Sequence, residues 1–125
     1  MIAELISAVV ACLPTDYLAT NKVVFGLPND KAQYPQLVLE ESWFSVPQDL
    51  KGPLNETVLF NMSVFYKRQN NGLVEADQFA AALSASLHNK SINGLFIRVI
   101  GREPLGEPDT SLGRIQIQLS VQRVA

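Results

Sequence analysis

The chain has 125 residues, 47% of them hydrophobic and 18% charged, and a net charge of −2 at neutral pH. That length suits one domain with a real core, and the balance excludes a disordered segment and a general nucleic-acid binder. Cys12 is the single cysteine, which excludes an intrachain disulfide.

Ile2, Leu5, Ile6, Val9, Val10 and Leu13 recur at helical spacing, and Pro14 ends the helix they predict. The stretch falls short of the roughly 20 apolar residues that span a bilayer. Glu4, with no basic residue ahead of it, argues against a secretory leader. Lys22 to Gly26 reads as a short strand, followed by turn chemistry at Pro28-Asn29-Asp30. Tyr34-Pro35 opens a longer strand over 36–44, where proline at the first position costs no ladder bond. Leu37, Leu39, Glu41 and Trp43 share one side of it and Val38, Glu40, Ser42 and Phe44 the other. Neither side is cleanly apolar, which predicts an edge or an interface.

Residues 46–55, with Pro47, Gly52 and Pro53, read as a loop or the tip of a long hairpin. Val58, Phe60, Met62, Val64 and Tyr66 then alternate with Leu59, Asn61, Ser63 and Phe65, the pattern of an inner strand. Asn70-Asn71-Gly72 turns the chain into a helix over 73–88, with Ala76, Phe79, Ala80, Leu83 and Leu87 on one side. Asn93-Gly94 turns again, Leu95 to Ile100 is a strand, and Gly101 to Gly113 reads as a long loop. The last strand alternates without a break. Ile115, Ile117, Leu119 and Val121 form an apolar face, and Arg114, Gln116, Gln118, Ser120 and Gln122 form a wet one. The order α-β-β-β-α-β-β predicts a single α+β domain over 1–125. Its mainly antiparallel sheet has about five strands, with two helices packed on one face.

Constellations for catalysis are missing. Gly101 and Gly106 lack the Lys-Ser/Thr pair of a phosphate-binding loop, no serine sits in a nucleophile elbow, and one histidine with one distant cysteine does not make a zinc site. His88 reads as a solvated residue near a helix C-terminus. Glu40 and Glu41 are adjacent in a strand and point to opposite faces. Glu103, Glu107 and Asp109 share a loop and read as solvated. No cofactor, metal or catalytic residue is expected.

Assembly features are more evident. Residues 1–66 carry three lysines against seven acids, a net −4, whereas residues 90–125 carry five cations against three acids, a net +2. Such asymmetry favours head-to-tail contact between copies. Trp43 and Phe44 beside a proline-containing loop read either as interface anchors or, for one of the two, as a core residue. Arg98, Arg102, Arg114 and Arg123 from one end of the chain read either as a basic strip or as a solvated sheet face. The candidate interface residues are therefore Trp43, Phe44, Gln48, Asp49, Lys51, Arg98, Arg102, Glu103, Glu107, Asp109 and Arg114.

The order of elements resembles the tail terminator proteins of long-tailed phages, the lambda-like minor tail protein U group. The likeness rests on the strand Tyr34-Pro35-Gln36-Leu37-Val38-Leu39, a long loop through Gly52 and the β-rich run from Val58 to Tyr66. It continues in the acid-bearing helix start Glu75-Ala76-Asp77 and the charged loop from Arg102 to Asp109 before the final strand. The resemblance implies a non-enzymatic subunit of a hexameric ring that caps the head-proximal end of the tail tube and stops its polymerisation. It implies as partners further copies of the chain, the tail tube protein and neck or head-completion proteins, with no membrane and no specific nucleic-acid binding even where DNA passes through the ring. It also implies location in the virion tail, and in the host cytoplasm during assembly. Two other readings stay open: a neck or head-closure adaptor of similar build, and a small-molecule or peptide binding module using the sheet face around Arg98.

Overall fold

Unbroken alternation in two segments builds the centre of the molecule. The computed structural model describes residues 2–13, 23–25, 28, 34–47, 56–69, 71–107 and 111–123; for residues 2, 23–25, 41–47 and 56 it describes the backbone alone. Strand β3 (Glu56–Lys67) pairs antiparallel with β6 (Leu112–Arg123) from Thr57↔Gln122 to Lys67↔Leu112 with no register shift. Period-two geometry then stacks Val58, Phe60, Met62 and Val64 against Val121, Leu119, Ile117 and Ile115, all buried. Each such side chain removed from water stabilises by about 1.5–3 kcal/mol. The opposite face carries Ser63, Asn61, Gln116, Gln118 and Ser120.

The remaining strands extend this pair into a six-stranded sheet of order β1-β2-β3-β6-β5-β4, with β1 (Val23–Phe25), β2 (Gln36–Pro47), β4 (Lys90–Ile92) and β5 (Leu95–Leu105). Neighbours are antiparallel except β1 and β2, which run parallel over Val23↔Leu37 to Phe25↔Leu39. The expected α+β architecture is thus present, with one strand more than the sequence suggested. Lys90–Ile92 is only three residues long and has no alternation to announce it. It is a strand because Asn93 and Gly94, with φ of 52° and 77°, make a two-residue hairpin between Ile92 and Leu95. Gly94→Ala should therefore cost about 1 kcal/mol, read as a lower denaturant midpoint; an unchanged midpoint would mean the hairpin is dispensable.

Both helices lie on the same side of the sheet. Helix α1 (Ile2–Cys12) buries Leu5, Ala8 and Val9, and α2 (Gly72–Leu87) buries Ala76, Phe79, Ala80, Leu83 and Leu87, the side read from the sequence. These residues and the apolar sheet face form one core. Helix α2 begins at Asn71 without a side-chain cap bond, and Glu75 in its first turn is placed to favour the positive end of the helix dipole.

Two irregularities correct the sequence reading. Between Leu39↔Met62 and Trp43↔Phe60, β2 carries two residues more than β3. The mixed character of residues 36–44 comes from this bulge: Leu37 and Leu39 sit on the core face, and Glu40, Glu41 and Ser42 lie at the shift. Over 37–39 the strand is internal, between β1 and β3. The second correction concerns residues 101–113, expected as a loop. Residues 101–105 continue β5, paired with β6 from Gly101↔Gln118 to Leu105↔Arg114, and Leu112 already opens β6. A one-residue bulge at Ile100, between Val99↔Leu119 and Gly101↔Gln118, breaks the alternation that would have revealed the strand. It swaps the faces, so Arg102 and Pro104 join the helix side opposite Ile117 and Ile115. It also swaps the hydrogen-bonding directions. Val99 points its N–H outward, and beyond the bulge the outward positions become Arg102 and Pro104. Proline lacks the hydrogen an added strand would need, so the edge tolerates it and is blunted by it.

Candidate functional site

The sheet face turned away from the helices holds the most organised polar cluster among the described residues. Its hub is Arg114 on β6. Nε donates to Ser63 Oγ at 2.9 Å, one terminal nitrogen donates to Glu107 Oε1 at 3.3 Å, and the other donates to Glu40 Oε1 in a short ion pair. Ser63, itself fully buried, donates a hydrogen bond from its hydroxyl to the same Glu40 oxygen at 2.7 Å. The guanidinium also lies 5.7 Å from the centroid of the Phe65 ring, its cross-strand partner. One cation thus joins β2, β3, β6 and the start of the β5–β6 connection. The side chains of Arg114, Glu40 and Glu107 are 22%, 11% and 15% exposed, enough desolvation for the charges to matter.

The sequence pointed to Arg114 and Glu107 as interface residues, but it did not reveal that they hold each other. Glu40 was read only as one of two adjacent, non-cooperating acids. Its partner lies 74 positions away, and only the β2–β3–β6 strand order brings them together. The other arginines are dispersed as well. Arg102, turned by the bulge, meets Asp77 of α2 at 3.8 Å, and Arg123 meets Glu4 of α1 at 3.1 Å. Arg98 alone of the four is exposed on the polar face with no ion pair among the described residues, opposite Ser120. A continuous basic strip therefore does not form, because Arg102 and Arg114 sit on opposite faces.

Glu103 is exposed on the polar face, level with Gln116. Trp43 and Phe44 stand in register with Phe60 and Leu59, and Pro47 pairs with Glu56 to close the long hairpin. The side chains of Trp43 and Phe44, and all of Gln48, Asp49, Lys51 and Asp109, lie outside what is described.

On the helix side, Leu73 and Val74 at the start of α2 are each 55% exposed. With Asp77, Gln78, Arg102, Pro104 and Ile115 they border a groove of about 470 Å³. Among the described residues, no three His, Cys, Asp or Glu side chains cluster as metal ligands would. Cys12 is half-buried; burial pushes its thiol up and the Lys90 charge draws part of that back, which disfavours the reactive thiolate. Among the described residues, this geometry is a sheet with a polar face braced by the Arg114 cluster.

No family model and no curated protein matches the chain. One solved structure that shares the fold is a chain from the virion of a native gene transfer agent particle. It superposes with a TM-score of 0.74 at 17% identity, covering 94% of this chain and 92% of that one. At that identity the likeness establishes the fold, from end to end of both chains.

Proposed function

We propose that this chain is a structural virion subunit, a tail terminator that closes the head-proximal end of a tail tube as a ring and prepares it for head joining. The observation that carries this reading is the end-to-end fold likeness to a chain of a virion particle. The polar face supports it as well. Its charged cluster is spent on internal bracing around Arg114, and no acid, base and nucleophile converge among the described residues.

A closed ring needs a heterologous contact, in which one patch meets a different patch on the next copy. The acidic first half and basic last third of the chain give such a contact its polarity. The segment 46–56 reaches along the tube axis or onto a neighbour, and Trp43, Phe44, Gln48, Asp49 and Lys51 are the residues assigned to that contact. The segment 101–113, with Arg102, Glu103, Glu107 and Asp109, meets the tube or neck. Within that segment Glu107 is tied to Arg114 at 3.3 Å. The ring acts in the virion tail and assembles in the host cytoplasm.

Deleting residues 48–53 should leave a folded monomer by circular dichroism yet block assembly, giving overlong tail tubes and few infectious particles. Tubes of normal length that fail to join heads would instead favour a neck or head-closure adaptor. An unchanged particle yield would remove the hairpin from the assembly account.

A further inference from the structure

Strand β4 covers β5 only from Lys90↔Ile97 to Ile92↔Leu95. The next outward group of β5 is the Val99 N–H, and the position that would face it is residue 88, where α2 has just ended. The partner there is a side chain in place of a strand: Val99 donates its N–H to His88 Nδ1 at 3.1 Å. The imidazole stands one step before the bulge, and beyond it the edge is exposed from Ile100 to Pro104. His88 is the only histidine of the chain.

An acceptor nitrogen needs a free lone pair, so in this pose the ring is neutral, with its proton on Nε2. We propose that His88 is an acid-sensitive latch that closes the outer edge of β5 at its bulge and opens when the imidazole takes up a proton. Imidazolium has two N–H donors and no acceptor, so a protonated ring would set donor against donor at Val99. The amide must then turn to water, and the unpaired edge lengthens by one residue toward β4.

The elements near His88 carry these charged and titratable groups. Strand β4 brings Lys90, and β5 brings Arg98 beside the bonded amide. Helix α2 brings its C-terminal carbonyl end, with no basic residue in its last turn; His88 donates its own backbone N–H to Ser84 O at 2.9 Å. Helix α1 brings Cys12, on whose thiol Lys90 acts. The inference does not depend on the ring reading, since it concerns the folded monomer.

The test is amide exchange of Val99 by NMR on the full chain, from mildly alkaline to mildly acidic pH, corrected for intrinsic exchange. The ¹⁵N shifts of the imidazole are followed in the same samples. Protection of Val99 should fall about tenfold, the worth of one hydrogen bond, with the midpoint of the ring titration, while Ile97 keeps its protection. His88→Asn places an amide oxygen near the Nδ1 position and cannot titrate, so its Val99 profile should lack the acid step. A flat Val99 profile in the native chain overturns the proposal. So does a midpoint separate from that of the ring, or the same acid step in the asparagine variant.

Discussion

Arg114→Met is expected to lower the thermal midpoint by about 10 °C. Removing one partner of a buried ion pair costs about 3–5 kcal/mol, because the remaining charge has lost its compensation. Here the cluster is partly open, with Arg114 22% exposed and Glu40 11%, so solvent screening trims the loss to about 2–4 kcal/mol. For a chain of this size each kcal/mol moves the midpoint by roughly 3–5 °C. The loss reaches past the ion pairs: Ser63 loses the donor to its Oγ, Phe65 loses the cation over its ring, and Glu107 is released from the sheet. If the orphaned Glu40 charge is the main cost, Glu40→Gln in the same chain should restore part of the stability. The double variant would then fall less than the sum of the single losses by about 1 kcal/mol or more. Denaturant unfolding of the four proteins reads this directly. Losses that simply add would mean that Arg114 acts through its packed stem and not through its charge.

The same cluster marks how far the sequence could be read. Alternation in 58–66 and 114–122 gave the two central strands, and 3.6-residue spacing gave the buried side of α2, because each pattern is local and repeats without interruption. Where the pattern breaks, local reading fails. The extra residue at Ile100 makes Arg102-Glu103-Pro104-Leu105 look like a loop, although β6 supplies a partner for every one of them. The two extra residues near Glu40 make β2 look like an edge. The pairing of Glu40 with Arg114 is out of reach in principle. It depends on strand order, and nothing in either residue's neighbourhood encodes the other. His88 is a similar case: helix-end chemistry describes its backbone, whereas its acceptor role comes from a strand that stops two positions short of Val99.

Gly113→Ala sets two effects of opposite sign against each other, and sterics should win. Glycine within a strand is normally a weakness; alanine there would be worth about 0.5–1 kcal/mol in backbone entropy. Yet Gly113 pairs directly with Tyr66, whose ring lies across it, and a β-carbon at 113 would overlap the ring and its hydroxyl. Tyr66 is 8% exposed and belongs to the core, so its ring cannot swing away without opening a gap beside α2. Overpacking of this kind costs about 1–3 kcal/mol, and the net loss should be about 1–2 kcal/mol once the entropy gain is deducted. The decisive measurement is the sign in two backgrounds. In the native chain Gly113→Ala should lower the denaturant midpoint. In a Tyr66→Leu chain, itself destabilised but with space over residue 113, the same change should be neutral or raise it. A higher midpoint for Gly113→Ala in the native background would show that the ring is free to move, and that glycine is no requirement of this strand pair.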